Sequence, residues 1–336
     1  MNHCIYEVQS LVEHILKNKL VSFLHGSPGI GKSTLVKNIA DKYNLELIDV
    51  RLSQCEPVDL LGFPSLDGSK ASYKPMNLFP IEGDSLPKGK NGWLLFLDEM
   101  NSADLSTQKA SYRLVLDREV GNHKLHPNTV IIAAGNLQTD NAIVEDMSTA
   151  LQSRLIHLEV GIKIDNWLNW ANEVGIDYRI IGFLSFRPSL LCGNLNHENL
   201  TFPCPRTWDF LSRLIKGITD NYFLQSMSIA TIGEGTGNEF TSFCSLFEKV
   251  PVWKDIITKP DKVEVPDDPA TCYALSALIL EQVTKDSLEP VIAYISRMPK
   301  EFQVISIKNI LSRHKTLIDH PVLKQWIVTN AHAVAA

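Results

Sequence analysis

Short, continuous runs of apolar residues recur through the first half of the chain, and segments with helical spacing lie between them. The runs are VSFLH (21–25), LELIDV (45–50), WLLFLD (93–98), TVIIAAG (129–135) and LIHLEV (155–160). Because each run is continuous rather than alternating, it is typical of a strand covered on both faces of a parallel sheet. The intervening segments include KSTLVKNIADKY and SADLSTQKASYRLVLDRE. This alternation predicts a doubly wound α/β domain over residues 1–160.

Beyond residue 160 the pattern changes to helices with interruptions. Apolar residues recur at helical spacing in IDNWLNWANEV, PRTWDFLSRLIKGI, NEFTSFCSLFEKV, DDPATCYALSALILEQV and HPVLKQWIVTNA. Pro205 and Pro269 stand near the starts of two of these segments, where the missing N–H of proline is harmless. The stretch at 257–269 is rich in proline and charge and is a candidate linker. We therefore predict a helical lid at 161–256 and a C-terminal helical extension at 257–336.

Composition narrows the classes of protein that fit this pattern. The net charge is −6 and no tract is rich in lysine or arginine, which disfavours a dedicated nucleic-acid binder. The six cysteines are scattered without metal-ligand spacing, as expected of reduced thiols in the cytoplasm. The N-terminal segment has no apolar core typical of a signal peptide, and no apolar run is long enough to span a membrane. We expect a soluble, cytoplasmic protein without a membrane partner.

A glycine-rich motif follows the first apolar run. Residues 26–33 read GSPGIGKS and fit the pattern G-x-x-x-x-G-K-S/T, in which backbone N–H groups wrap phosphates and the lysine reaches the β and γ oxygens. The serine hydroxyl of this motif ligates Mg²⁺, and the helix that follows adds its positive N-terminal end. The residues predicted to bind the nucleotide are Gly26, Ser27, Pro28, Gly29, Ile30, Gly31, Lys32, Ser33 and Thr34.

Two adjacent acidic residues end the third apolar run. Asp98 is placed to join Ser33 as a ligand of Mg²⁺, and Glu99 to polarise an attacking water. The alternative is that both acids only cap the next helix. The phosphate-binding motif favours the first interpretation, because hydrolysis needs one carboxylate on the metal and another on the water.

Three further polar residues are candidates for the site. Asn136 ends the following strand and is placed to hold the lytic water, although a left-handed Gly-Asn turn is the alternative. Arg154 precedes the last apolar strand, where it could contact the γ-phosphate of a neighbouring subunit or form a surface ion pair. Arg206 opens a helix of the second half and could close over the nucleotide, or be an ordinary arginine of a first turn.

This ordered set resembles the AAA+ ATPases, and within them the MoxR-like and related AAA_5 group, over residues 20–215. The resemblance implies a P-loop NTPase parallel sheet flanked by helices, with a helical lid and C-terminal helices behind it. It makes 26–34 the Walker A motif, Asp98 and Glu99 the Walker B motif, Asn136 sensor 1, Arg154 the arginine finger and Arg206 sensor 2. It also implies ATP and Mg²⁺ as cofactors, a homo-oligomeric ring, usually a hexamer, and a chaperone-like motor. The partner of such a motor is often a protein with a von Willebrand factor A domain.

Three segments refine the resemblance. Residues 51–73 resemble the family segment that enters an insert in helix 2, with Asp67 and Gly68 as a hairpin turn. Residues 118–125 are similar to the β-hairpin before sensor 1 and turn at 121–122. Residues 98–108 follow the family's D-E-I-N-R-A pattern except at Ser102, where an arginine is usual. Arg113 or Arg118 is a candidate to compensate for that departure.

Three functions remain open from the sequence. A protein-remodelling ATPase of the MoxR kind is favoured, with its client held at the axial face of the ring or by the helices after residue 160. A nucleic-acid motor, as in restriction or phage DNA processing, is disfavoured by the acidic balance, although lysines at 65–75 and 86–92 could line a pore. A nucleotide-dependent switch or scaffold is disfavoured because Glu99 and Asn136 occur together.

Overall fold

The computed structural model describes residues 2–66, 70–137, 147–193 and 199–330. The chain divides into two compact units, residues 1–162 and residues 163–336. The expected separation of a lid at 161–256 from an extension at 257–336 stays a prediction.

A parallel sheet of six strands is the centre of the first unit. The strands of this unit are β1 (Asn2–Cys4), β2 (Ser22–His25), β3 (Glu46–Arg51), β4 (Phe63–Ser65), β5 (Ser72–Lys74), β6 (Trp93–Asp98), β7 (Glu119–Val120), β8 (His123–Lys124), β9 (Thr129–Gly135) and β10 (Ile156–Gly161). The order in the large sheet is β1-β10-β2-β9-β6-β3, and every neighbouring pair is parallel. Each of the five apolar runs forms one of these strands, as predicted. The carboxyl ends of β2, β9 and β6 therefore lie side by side at one edge.

Helices cover both faces of this sheet. They are α1 (Ile5–Lys17), α2 (Lys32–Lys42), α3 (Pro57–Leu61), α4 (Leu105–Leu116) and α5 (Thr149–Gln152). Successive residues of β6 face opposite cores: Leu94 and Phe96 pack with residues of α1 and α2, whereas Leu95 and Leu97 pack with residues of α3 and α4. These four side chains are at most 1% exposed, and each such burial stabilises the fold by about 1.5–3 kcal/mol. Burial on both faces explains why the run is continuous.

Two small hairpins project from the same unit. Strands β4 and β5 pair antiparallel, and β7 pairs with β8. The turn predicted at 121–122 is confirmed, and Gly121 has a φ of 58°, in the region that favours glycine. The hairpins contact each other, because the Tyr73 carbonyl lies 2.9 Å from His123 Nε2. The turn predicted at Asp67 and Gly68 lies outside the described residues.

The second unit is helical. Its helices are α6 (Ile164–Val174), α7 (Tyr178–Phe186), α8 (Pro205–Ile215), α9 (Asn221–Ile232), α10 (Glu234–Cys244), α11 (Trp253–Thr258), α12 (Pro269–Gln282), α13 (Leu288–Ile295), α14 (Lys300–Arg313) and α15 (Pro321–Thr329). Pro205 and Pro269 are the first residues of α8 and α12, as predicted. The predicted fold class, a parallel sheet flanked by helices and followed by a helical part, is confirmed. In the part of the chain that the structure describes, every helix is too short or too polar to cross a membrane.

The candidate linker at 257–269 is packed within this second unit. Val263 and Val265 lie against the apolar cluster that α12 and α13 share. The Tyr294 hydroxyl donates to the Glu264 carbonyl at 3.0 Å, and Arg297 Nη1 donates to the Val263 carbonyl at 2.7 Å. The segment is therefore anchored to a core despite its proline and charge.

Candidate nucleotide-binding site

The glycine-rich loop joins β2 to α2, and its path needs glycine. Gly29 and Gly31 have φ values of 78° and 103°, which L-residues with a Cβ rarely adopt. A Cβ on Gly26 would overlap the Ile30 side chain. Lys32, Ser33 and Thr34 form the first turn of α2, which contains no acidic residue. The positive end of the helix is thus left for an anion, as a phosphate site requires.

Lys32 connects this loop to the end of β9. Its side chain is buried, with 8% of the residue exposed. The ammonium donates to the Gly26 carbonyl, to the Ser27 carbonyl at 3.2 Å and to Asn136 Oδ1 at 3.2 Å. These contacts hold the ammonium beside the loop and the end of β9, where a bound phosphate would be attracted to its charge.

Ser33 and Asp98 provide two oxygen donors at the same edge of the sheet. Ser33 Oγ donates to Asp98 Oδ2 at 3.5 Å, and the Glu99 N–H donates to Asp98 Oδ1 at 2.9 Å. Burial raises the pKa of the Asp98 carboxyl, while the nearby Lys32 acts in the opposite direction. Hydroxyl and carboxylate oxygens are ligands that Mg²⁺ accepts, with phosphate and water completing its shell. The two residues therefore fit a Mg²⁺ that is bound together with a nucleotide.

Glu99 follows Asp98 in an uncommon backbone conformation. Its φ of 55° and ψ of 33° are left-handed, and strain of this kind clusters at active sites. Glu99 Oε2 accepts a hydrogen bond from Ser53 Oγ. Ser53 lies just after β3, the strand next to β6. The sequence analysis missed Ser53, and only the order of the strands could have placed it beside Glu99.

Asn136 directly follows the last residue of β9, and its side-chain oxygen accepts from Lys32. Its backbone is held by the side chain of Asn101: the Asn136 N–H donates to Asn101 Oδ1 at 3.1 Å, and Asn101 Nδ2 donates to the Asn136 carbonyl at 2.8 Å. Neither Gly135 nor Asn136 has a positive φ, so the alternative of a left-handed turn is wrong. Asn101 was also missed as a site residue.

Two histidines form a pair directly before the glycine-rich loop. His25 Nε2 lies 2.8 Å from His157 Nδ1, and His157 Nε2 lies 2.9 Å from the Gln152 carbonyl. Because a carbonyl only accepts, His157 donates to the Gln152 carbonyl through Nε2. Burial, followed by His157 and Lys32, lowers the pKa of His25 to about 4. His25 is therefore neutral near pH 7. As the pH falls from about 6.5 toward 4, His25 is protonated in the unfolded chain before it is protonated in the folded protein. The folded state therefore loses stability over this range of pH.

The two predicted arginines lie in different units. Arg154 is half-buried between α5 and β10, its Nη1 donates to the Ala150 carbonyl, and its guanidinium carbon lies 5.8 Å from the centre of the Tyr112 ring. Its Nε is buried without a hydrogen-bond partner among the described residues. Arg206 is exposed in the first turn of α8, in the second unit. Their roles toward a nucleotide stay predictions.

Neither arginine considered as a substitute at Ser102 has a contact that supports the idea. Arg113 donates to the Gly121 carbonyl at 2.8 Å and pairs with Glu119. Arg118 donates to the Thr129 carbonyl. Arg113 thus holds the hairpin of β7 and β8, and Arg118 holds the start of β9.

A known family model matches the part of the chain that carries the site. Residues 22–155, less than half of the chain, match the family model of the AAA domain of the dynein-related subfamily. No curated protein matches the chain. Among solved structures, the Thermotoga maritima RuvB Holliday junction branch migration motor is 14% identical with a TM-score of 0.37, over 85% of this chain and 86% of that one. NtrX of Brucella abortus is 13% identical with a TM-score of 0.36, over 98% of this chain and 68% of that one. At such scores these two likenesses carry no argument about function.

Proposed function

We propose, from the premise that residues 22–155 match the AAA domain of the dynein-related subfamily, that this chain binds Mg-ATP and hydrolyses it. One observation supports this most strongly. Lys32, Ser33, Asp98, Glu99 and Asn136 converge at the carboxyl ends of three adjacent parallel strands. Polar groups that meet there from separate segments are typical of a ligand site in an open α/β sheet.

Each of these residues has a role that its contacts suggest. The loop N–H groups and Lys32 hold the phosphates, while Ser33 and Asp98 hold Mg²⁺, which neutralises charge on the β and γ oxygens when it is bound. Glu99 accepts a proton from the attacking water, and it must share or release the Ser53 hydroxyl to do so. The Asn136 amide orients the same water.

We further propose that the active form is a homo-oligomeric ring of the MoxR-like kind, hexameric as in the family it resembles, with ATP sites between cytoplasmic subunits. Arg154 serves the site of a neighbouring subunit, and Arg206 closes over the nucleotide of its own subunit. The bond from Arg154 Nη1 to the Ala150 carbonyl is exposed, so this end of the guanidinium is accessible to a neighbouring subunit, which supports the first role.

The variant Arg154→Ala tests the arrangement between subunits. It is expected to bind ATP with an affinity within about threefold of the parent and to lose about 10³-fold in hydrolysis, as expected for an arginine finger. Mixing it with Lys32→Ala subunits is expected to restore part of the activity. In some interfaces of the mixed ring, an intact Arg154 then meets an intact phosphate loop. Absence of restoration in a mixture shown to co-assemble would place Arg154 in the site of its own subunit.

The client of this motor is proposed to be a protein, for example one with a von Willebrand factor A domain. The net charge of −6 supports a protein surface over a phosphate backbone, which favours a basic groove. The ATPase rate is therefore expected to stay within about twofold when single- or double-stranded DNA is added at low salt, and to rise with proteins encoded beside its gene. DNA stimulation that disappears with moderate salt would instead support a nucleic-acid motor.

A further inference from the structure

The ladder between β6 and β9 ends before the site begins. The final paired residues are Leu97 and Ala133, so the chain at Gly135 and Asn136 has lost its partner strand on that side. The carboxamide of Asn101 takes the place of this strand. It accepts from the Asn136 N–H at 3.1 Å and donates to the Asn136 carbonyl at 2.8 Å, so both backbone groups of Asn136 keep a hydrogen bond where the ladder has ended.

The fit around this carboxamide is close. Asn101 is 4% exposed, and a Cβ on Gly135 would overlap Asn101 Oδ1. On the opposite side of β9, the Gly26 N–H donates to the Gly135 carbonyl at 3.3 Å. The end of β9 is thus held between the first glycine of the phosphate loop and the side chain of Asn101.

Asn101 also belongs to the turn that carries Glu99. The Ser102 N–H donates to the Glu99 carbonyl at 2.9 Å, which closes a short 3-10 turn over Met100–Ser102. The backbone of Glu99 is therefore tied to the backbone of Asn136 through one side chain. These are the two residues that the proposed function requires to hold the same water.

We propose that Asn101 is a positioning residue that sets Asn136 in place relative to Glu99 and Lys32 for hydrolysis. The proposal rests on the proposed function of the site. A carboxamide suits the position because it offers one donor and one acceptor on adjacent atoms. An aspartate of the same size would turn an acceptor toward the Asn136 carbonyl and lose the donated bond.

Asn101→Ala and Asn101→Asp test the proposal. Both are expected to lower kcat about 10²-fold, because a small misplacement of a positioning group has effects of this size. The Kd for ATP is expected to change by less than about threefold, because Lys32 and the loop are retained. The double variant Asn101→Ala/Asn136→Ala is expected to be no slower than Asn136→Ala alone, since Asn101 acts through Asn136. If the double variant instead lost kcat by the product of the two single losses, the two residues would act independently and the proposal would be overturned.

Asn172→Ala serves as the matched control. Asn172 is 2% exposed in α6 of the second unit, and its Nδ2 donates to Asn309 Oδ1 at 3.1 Å. The substitution Asn172→Ala removes a similarly buried carboxamide that lies outside the site. A lowered melting temperature is expected in both Asn101→Ala and Asn172→Ala, with kcat lowered only in Asn101→Ala. An equal loss of kcat in both variants would show that Asn101 affects turnover only through the stability of the fold, and this would overturn the proposal.

Amide hydrogen exchange at Asn136 separates this inference from the proposed function. The Asn136 N–H is expected to exchange slowly in the parent and at least about tenfold faster in Asn101→Ala. Equal exchange rates would show that Asn101 does not hold this backbone and would overturn the inference, whatever the ATPase rate. A parent protein that binds ATP without turnover would overturn hydrolysis as the function, while faster exchange in the variant would still support the contact.

Discussion

Replacing Lys32 by alanine is expected to weaken Mg-ATP binding by more than about a hundredfold, which corresponds to about 3 kcal/mol. The lysine is buried at the loop. Its ammonium lies within hydrogen-bond distance of the Gly26 carbonyl, the Ser27 carbonyl and the side-chain oxygen of Asn136. The alanine variant has no positive charge to compensate the negative charge on the β and γ phosphate oxygens. Titration with a labelled ATP analogue measures the loss.

Lys37→Ala is the control for this measurement. Lys37 lies on the same helix, α2, and is exposed, so it removes an equal charge five residues away without touching the loop. Its affinity for ATP is expected to match the parent. Unchanged affinity in Lys32→Ala, with the fold shown intact by circular dichroism, would contradict the assignment of the phosphate loop.

The large sheet was predictable because its strands are buried on both faces. A continuous apolar run such as 93–98 is enough to indicate such a strand, and each of the five runs forms a strand in the structure. The helix α7 was not predicted, because six of its nine residues are buried and the other three are half-buried, so no exposed face gives a helical period. In α1, by contrast, Val8, Val12 and Ile15 are buried at helical spacing, a pattern that could have identified the helix from the sequence.

The site was predictable where one short segment carries the chemistry. Lys32, Ser33 and Asp98 stand in local motifs, and the structure brings them together. The partners that hold them were not predictable in this way. Ser53 meets Glu99 because β3 lies next to β6, and His25 meets His157 because β2 lies next to β10. Such pairs depend on the order of the strands in the sheet, which hydrophobic periodicity does not determine.

The variant Glu99→Gln is expected to bind Mg-ATP as the parent does and to lose between about 10²- and 10⁴-fold in turnover, the range of general-base catalysis. The glutamine keeps the length of the side chain, and its amide oxygen can still accept from the Ser53 hydroxyl that bonds Glu99. The backbone at this residue is left-handed in either case, so the turn that leads to Asn101 is retained. What the amide cannot do is accept a proton from water. Single-turnover hydrolysis at saturating ATP separates this chemical effect from binding.

Glu46→Gln is the matched control, because it makes the same substitution on the same sheet. Glu46 is exposed at the first residue of β3 and pairs in register with Trp93, whereas Glu99 follows the last residue of β6. In a parallel pair these positions lie at opposite ends of the strands, so Glu46→Gln is expected to retain the turnover of the parent. If Glu99→Gln also retained it, the base would be another group, and the arrangement of Ser53, Glu99 and Asn136 would need a different explanation. Loss of turnover in Glu99→Gln alone, with unchanged affinity, would identify the carboxylate as the group that accepts the proton.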